Sequence, residues 1–288
     1  MSRTVGSAHI IRQDGGVSKG AWGAFVLETA FQPIFAFQPG SKPKVVAYEG
    51  LVRPSLGGER ISPAIFFSAV AASERLEVET LTRTLHLFNA AAFLATEAMI
   101  FVNFDPSLFT EQSVADSSLQ DMRMVMGKAG IHPRRVVCEL TEQKAASPEA
   151  LKAFVNALRA NGLKVAIDDY GAEDSDIKRV EALRPDIVKF DAQWISHMMG
   201  SGAGFALLTA MVEKFAEQGI TTVFEGIEEG WQLELAEKSG ASMVQGFVLA
   251  RPEIVSSELA IKNAFKANEP GSAPASAIRK SPGRKKPT

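Results

Sequence analysis

A (β/α) barrel is the fold this sequence predicts. Three features point to it: short apolar runs of strand length, helical stretches between them, and a polar or charged residue at the end of each run. The runs are VVAYE, MIFVN, VVCE, VAIDD, IVK, TVFE and MVQ, ending in Glu49, Asn103, Glu139, Asp168 with Asp169, Lys189, Glu225 and Gln245. Buried parallel strands are apolar on both faces, so a polar last residue in every run needs a reason. In a closed barrel the C-terminal strand ends meet on one rim. An open doubly wound sheet gathers ligands from two or three strands at a switch point. Seven runs with the same kind of ending favour closure.

Taken in order, an extended segment over 25–37 leads into a strand over 44–53, and Gly57-Gly58 marks a turn. Ser62-Pro63 reads as a cap with proline in the first turn of a helix that carries Ile65, Phe66, Ala69 and Val70. A second helix is expected over 76–96, with Leu81, Leu85, Phe88 and Phe93 facing the core. Further helices are expected over 148–160, 174–183, 203–218 and 229–238, each between two of the runs. Gly200, Gly202 and Gly204 follow no strand, so they read as a flexible linker and not as a nucleotide loop.

The 288 residues suit one barrel with tails: a flexible N-terminal segment over 1–22, the barrel over 23–264, and a disordered basic C-terminal tail over 265–288. A balance of 31 Lys and Arg against 33 Asp and Glu sets up no overall field toward nucleic acid or an anionic membrane; only the tail could make a weak basic contact. Cys138 is the single cysteine, which excludes an internal disulfide and a cysteine-based zinc cluster. The opening residues lack the apolar run of a secretory signal, and the best membrane candidate, 90–102, is short and broken by Glu97. A cytoplasmic protein is expected.

Five carboxylates on one rim repel one another unless cations neutralise them. Glu49, Asn103, Glu139, Asp168, Asp169 and Glu225 offer only oxygen donors, which selects Mg²⁺ or Mn²⁺ over zinc or copper. Asp168-Asp169 could serve two positions, which makes a pair of metals about 3.5–4 Å apart plausible, with Lys189 holding or polarising an attacking water. Singly, each residue has a duller reading as a helix cap, a turn residue or a snorkelling lysine.

The motifs resemble one family, the EAL domains. Gln32-Pro33-Ile34 is similar to its opening QPI, and Tyr48-Glu49-Gly50-Leu51-Val52-Arg53 to its signature Glu-Ala-Leu with the following Arg. Glu139-Leu140-Thr141-Glu142 resembles ELTE, Asp168-Asp169-Tyr170-Gly171 DDFG, Lys189-Phe190-Asp191 K-x-D, and Glu225-Gly226-Ile227-Glu228 EGVE; Gln245-Gly246-Phe247 and Arg251-Pro252 follow in order. The resemblance implies an α/β fold of a particular kind, a modified (β/α)8 TIM-like barrel with one antiparallel strand. It implies hydrolysis of cyclic di-GMP to pGpG with two Mg²⁺ or Mn²⁺ ions, and a possible homodimer. By match, Lys189, Glu225 and Glu49 are catalytic, and Glu49, Asn103, Glu139, Asp168, Asp169 and Glu225 are metal ligands. Gln32, Arg53 and Gln245 are substrate-binding, and Glu142 tethers a loop. Two departures stand out. Gly50 replaces the signature Ala, which is expected to change only local stiffness, and the loop Ala172 to Asp176 is acidic where the family has Gly, an aromatic and Ser. The altered loop supports an alternative, an EAL-like barrel that acts as a cyclic di-GMP receptor or a protein-interaction module without turnover.

Overall fold

The computed structural model of the chain describes residues 9–141, 145, 147–172 and 176–256. It opens with β1 (His9–Arg12) and β2 (Ser18–Trp22), then a long hairpin of β3 (Phe25–Gln38) and β4 (Ser41–Leu56), and a short β5 (Glu59–Arg60). Helices α1 (Pro63–Ala69) and α2 (Arg75–Phe93) lead to β6 (Met99–Phe104), α3 (Gln112–Ala129), β7 (Val136–Leu140), α4 (Pro148–Ala160) and β8 (Lys164–Tyr170). Next come α5 (Asp176–Leu183), β9 (Ile187–Phe190), α6 (Ala192–Met199), α7 (Gly202–Glu217) and β10 (Thr221–Phe224). The described chain ends with α8 (Gly230–Lys238), β11 (Met243–Val244) and β12 (Glu253–Ile254).

Eight strands close into a barrel in the order β3, β11, β10, β9, β8, β7, β6, β4, and β3 pairs back onto β4. Strand β3 runs antiparallel to both neighbours, and every other barrel pairing is parallel. This is the modified barrel with one antiparallel strand.

The interior is a single apolar layer, Ile34, Ala47, Phe101, Val137, Ala166, Ile187, Val223 and Met243, one residue from each barrel strand. Side chains alternate faces along a strand, so the residue two positions nearer the rim also points inward. Those positions are Gln32, Glu49, Asn103, Glu139, Asp168, Lys189, Glu225 and Gln245. The polar endings of the runs are thus the next inward-facing ring above a packed floor. The helices cover the outside through a larger core that includes Phe104, Phe109, Phe154, Phe190 and Phe215.

Local chemistry starts the helices where the sequence places caps. Ser62 accepts from the Ile65 amide, Ser147 from Ala150, Asp191 from Trp194 and Ser201 from Gly204. The Gly200–Gly204 stretch is a tight α6–α7 junction and not a loose linker, because a β-carbon at Gly204 would run into the Met198 carbonyl oxygen.

The N-terminal expectation is corrected from His9 onward. Strands β1 and β2 extend the sheet from the edge of β3, with Gly20 opposite Leu27 and Trp22 opposite Phe25. Tertiary packing overrides the Gly-rich composition: Val17 and Ser18 are buried, and Ser18 exchanges two hydrogen bonds with the Asn89 side chain on α2. Residues 1–8 and the basic tail lie outside the described residues. No helix among the described residues is long and apolar enough to cross a membrane.

Candidate metal centre

Lys189 stands at the middle of the rim. Its side chain is 1% exposed, and its ammonium makes ion pairs with Glu139 and Glu225, with Asp168 at 3.2 Å and with Glu49 at 3.6 Å. It does not snorkel outward. Glu139 is fully buried on β7, and Gln245 donates from Nε2 to Glu49 Oε2 at 2.7 Å across the seam of the barrel. Gln32 is paired in register with Glu49, and both line a small pocket with Glu225 and Gln245. Asn103 pairs in register with Glu139 and lines the adjoining cavity with Arg53. Glu142 lies outside the described residues, as do Glu173, Asp174 and Ser175 of the acidic loop.

Asp169 needs a special device. In a regular strand its side chain would point away from that of Asp168. The β8–β9 pairing slips between Ile167 and Tyr170, and Asp169 adopts a left-handed φ of 52°. This bulge turns the second carboxylate back, and oxygens of Asp168, Asp169 and Glu225 come within 4.8 Å of one another. A left-handed aspartate stores backbone strain. Asp169→Gly is therefore expected to stabilise the metal-free protein by about 1 kcal/mol while weakening Mn²⁺ binding. Urea unfolding and calorimetric titration check the two halves.

Oxygens of Glu49, Glu139 and Glu225 form a second group within 4.8 Å, so Glu225 belongs to both. Five carboxylates face one ammonium, a formal deficit of four positive charges, which two divalent cations match. Among the described residues, Glu139 Oε2 is buried without a hydrogen-bond partner, as is Gln245 Oε1. Unsatisfied buried oxygens beside surplus negative charge fit hard cations, and the set holds no sulfur or imidazole.

The protonation pattern reports the same deficit. Burial, reinforced by Asp168, pushes Glu139 well above the usual carboxylate range against the pull of Lys189. Burial also raises Glu225 to about 8, with Lys189 opposing and Asp168 and Glu49 adding. For Lys189 burial alone acts downward, but Asp168, Glu139, Glu225 and Glu49 together outweigh it and hold the ammonium charged. A carboxyl whose folded pKa is raised contributes stability that is full below the unfolded value and lost as pH rises through the folded value. The protein in chelator is therefore expected to be more stable at pH 5 than at pH 8, the window set by Glu225. Added Mn²⁺ should flatten that slope; equal stability at the two pH values in chelator would contradict the charge account.

Sequence reasoning missed the supports beneath the rim. Glu79 and Arg83 form a buried pair one turn apart on α2. Arg83 reaches toward the Asn103 carbonyl at 3.5 Å and lies over the Phe104 ring, while Glu79 accepts from the Asp105 amide at 3.4 Å. The pair grips the end of β6 on either side of Phe104. A Glu and an Arg four apart on a helix look like a surface pair in sequence, and only burial reveals them. Beyond the rim, Gly226 and Gly246 allow close backbone approach: β-carbons there would collide with Ala192 and with the Ile227 carbonyl.

Comparison with known proteins places this arrangement. The family model described as the EAL domain matches residues 24–252. The EAL-domain-containing protein YkuI of Bacillus subtilis is 28% identical over 224 residues, 77% of this chain and 54% of its own length. The probable cyclic di-GMP phosphodiesterase PdeB of Escherichia coli is 24% identical over 225 residues, 77% of this chain and 42% of its own. The chain thus spans about half the length of these relatives. Among solved structures, Klebsiella pneumoniae BlrP1 with manganese and cyclic di-GMP superposes with a TM-score of 0.70 at 26% identity, covering 86% of this chain and 59% of BlrP1. YkuI in complex with cyclic di-GMP and calcium gives 0.69 at 26% identity, covering 84% and 60%. With a matched segment that runs through the whole barrel and its rim, the chain belongs to the EAL domain family.

Proposed function

We propose that this barrel is a metal-dependent phosphodiesterase that hydrolyses cyclic di-GMP to linear pGpG. The observation that carries the reading is the inward ring itself, in which surplus carboxylates surround one buried ammonium above an apolar floor. Two Mg²⁺ or Mn²⁺ ions held by Glu49, Asn103, Glu139, Asp168, Asp169 and Glu225 would supply Lewis acidity and acidify water.

The chain's own residues do the rest. Lys189, anchored by four carboxylates, keeps a charged donor in the site to orient the attacking water. Gln245 fixes the Glu49 carboxylate through its amide nitrogen, so its role begins with positioning a ligand as well as meeting substrate. Arg53 opens onto the cavity beside the rim, and its planar fork suits a non-bridging phosphate oxygen. Gln32 lines the pocket on the other side of Glu49. The reading includes a homodimer, checked by sedimentation.

Incubating the protein with cyclic di-GMP and Mn²⁺ or Mg²⁺, with calcium and chelator controls, tests the activity by chromatography of pGpG. Metal-dependent pGpG supports the enzyme. Saturable binding without product turns the protein into a receptor, and neither product nor binding overturns both readings.

A further inference from the structure

A cavity of about 390 Å³ opens between β4 and α2 beside the rim, with Arg53 and Asn103 on one side and Pro63, Phe67, Arg83 and His86 among its other walls. His86 is the unexpected member. It is buried on α2, and a methyl added at Gly50 would stand 2.9 Å from its Cγ, 3.0 Å from its Cβ and 3.1 Å from its Cδ2. Such contacts are too close for a carbon, so the imidazole occupies the place that an Ala at position 50 would need. The missing methyl of the signature is a steric condition for His86, not a change in stiffness.

The ring is also fixed in orientation and in tautomer. Asn89 Nδ2 spends its two protons on the Ser18 carbonyl and on Thr29 Oγ1, both at 3.0 Å. Thr29 Oγ1 lies 2.9 Å from His86 Nδ1. Thr29 is buried, and among the described residues its hydroxyl proton has no acceptor other than Nδ1. The hydroxyl therefore donates, Nδ1 accepts, and the ring proton resides on Nε2. Nε2 has no hydrogen-bond partner among the described residues, and the ring lines the cavity. Burial, with Arg53 and Arg83 nearby, depresses the pKa of His86 to about 3, so the ring stays uncharged.

We infer that His86, admitted by Gly50 and oriented by Thr29 and Asn89, is a specificity-determining residue whose Nε2–H donates to O6 of a guanine of the bound dinucleotide. This rests on the proposed substrate. Pro63 and Phe67 give the cavity an apolar wall, with the Arg75 guanidinium 4.5 Å over the Phe67 ring as a flat cation on which a base can also stack, and Arg53 beside the rim suits the phosphate to which that base is joined. Both purines present N7 as an acceptor, but guanine presents the acceptor O6 where adenine presents an amino donor, so the discriminating position is O6. A fixed donor thus favours guanine over adenine.

The test uses dissociation constants for cyclic di-GMP and cyclic di-AMP in calcium, for the wild type, Thr29→Val and the double variant Gly50→Ala/His86→Ala, in which the new methyl meets no ring. The double variant is expected to bind cyclic di-GMP about tenfold more weakly and Thr29→Val about threefold, with cyclic di-AMP little changed, so the preference narrows. An unchanged preference in the double variant overturns the role of His86. Unfolding midpoints give an independent readout: Gly50→Ala should cost the wild type more than it costs the His86→Ala background, where the contacts with Cγ and Cδ2 are gone and only the one with Cβ at 3.0 Å remains, and an equal cost in both backgrounds would refute the pairing. A wild type that binds neither dinucleotide fails the substrate reading, and the His86 role with it.

Discussion

Lys189→Met is expected to lower the stability of the metal-free protein by about 3–5 kcal/mol at pH 8, and Mn²⁺ should return most of the loss. The ammonium is the shared counter-charge of Glu49, Glu139, Asp168 and Glu225, and it is withdrawn from water. Methionine keeps the length and the packing but leaves buried carboxylates facing one another. The cost should shrink toward pH 5, because Glu139 and Glu225 already hold protons above the usual carboxylate range and can be neutralised there. Urea unfolding in chelator and in Mn²⁺ measures both effects. A midpoint in chelator equal to that of the wild type would mean that the lysine does not balance the cluster.

Glu49→Ala should reduce the proposed hydrolysis of cyclic di-GMP about a thousandfold or more with a nearly unchanged unfolding midpoint. Its carboxylate sits between Lys189 and the Gln245 amide and completes the oxygen group with Glu139 and Glu225. The loss of one hydrogen bond is offset by relief of repulsion inside an over-negative cluster, so the fold should tolerate the change. The β3–β4 pairing that holds position 49 runs from Phe25 opposite Leu56 to Gln38 opposite Ser41 and does not depend on this side chain. Retained hydrolysis would remove Glu49 from the chemistry and with it the assigned ligand set.

The barrel was legible because period-2 alternation makes the last residue of each run inward-facing, and the eight ring positions stand two residues from the apolar floor. The helices with Ser caps were legible for the same local reason, as at Ser62 and Ser147. Helix α3 was not: its Ser and Asp residues hide a stripe of Ala115, Leu119, Met122 and Met126 that only the packed core makes plain. Asp169 looked able to reach the site from its sequence position, yet reaching it takes a bulge and a left-handed backbone that no local pattern announces. The meaning of Gly50 lay in His86, on a different element, and steric pairing at such a distance leaves no mark in a single sequence.

The hydrogen bond between Gln245 and Glu49 joins residues 196 positions apart, and the neighbouring pairings of β11 and β12 with β3 span a similar range. Up to β10 the parallel strands can assemble as an open, growing sheet through successive crossovers of modest length, but the last joint must bring the two ends of the domain together. Such long-range closure is paid for in chain entropy before any contact rewards it, so it is expected to be the slow step of folding. Because one wall of the proposed cation site is that joint, any divalent affinity is expected only once the ring is sealed. In a refolding experiment, the appearance of the proposed Mn²⁺ binding would time the final event of folding, and a nascent chain still lacking β11 is expected not to hold the ion.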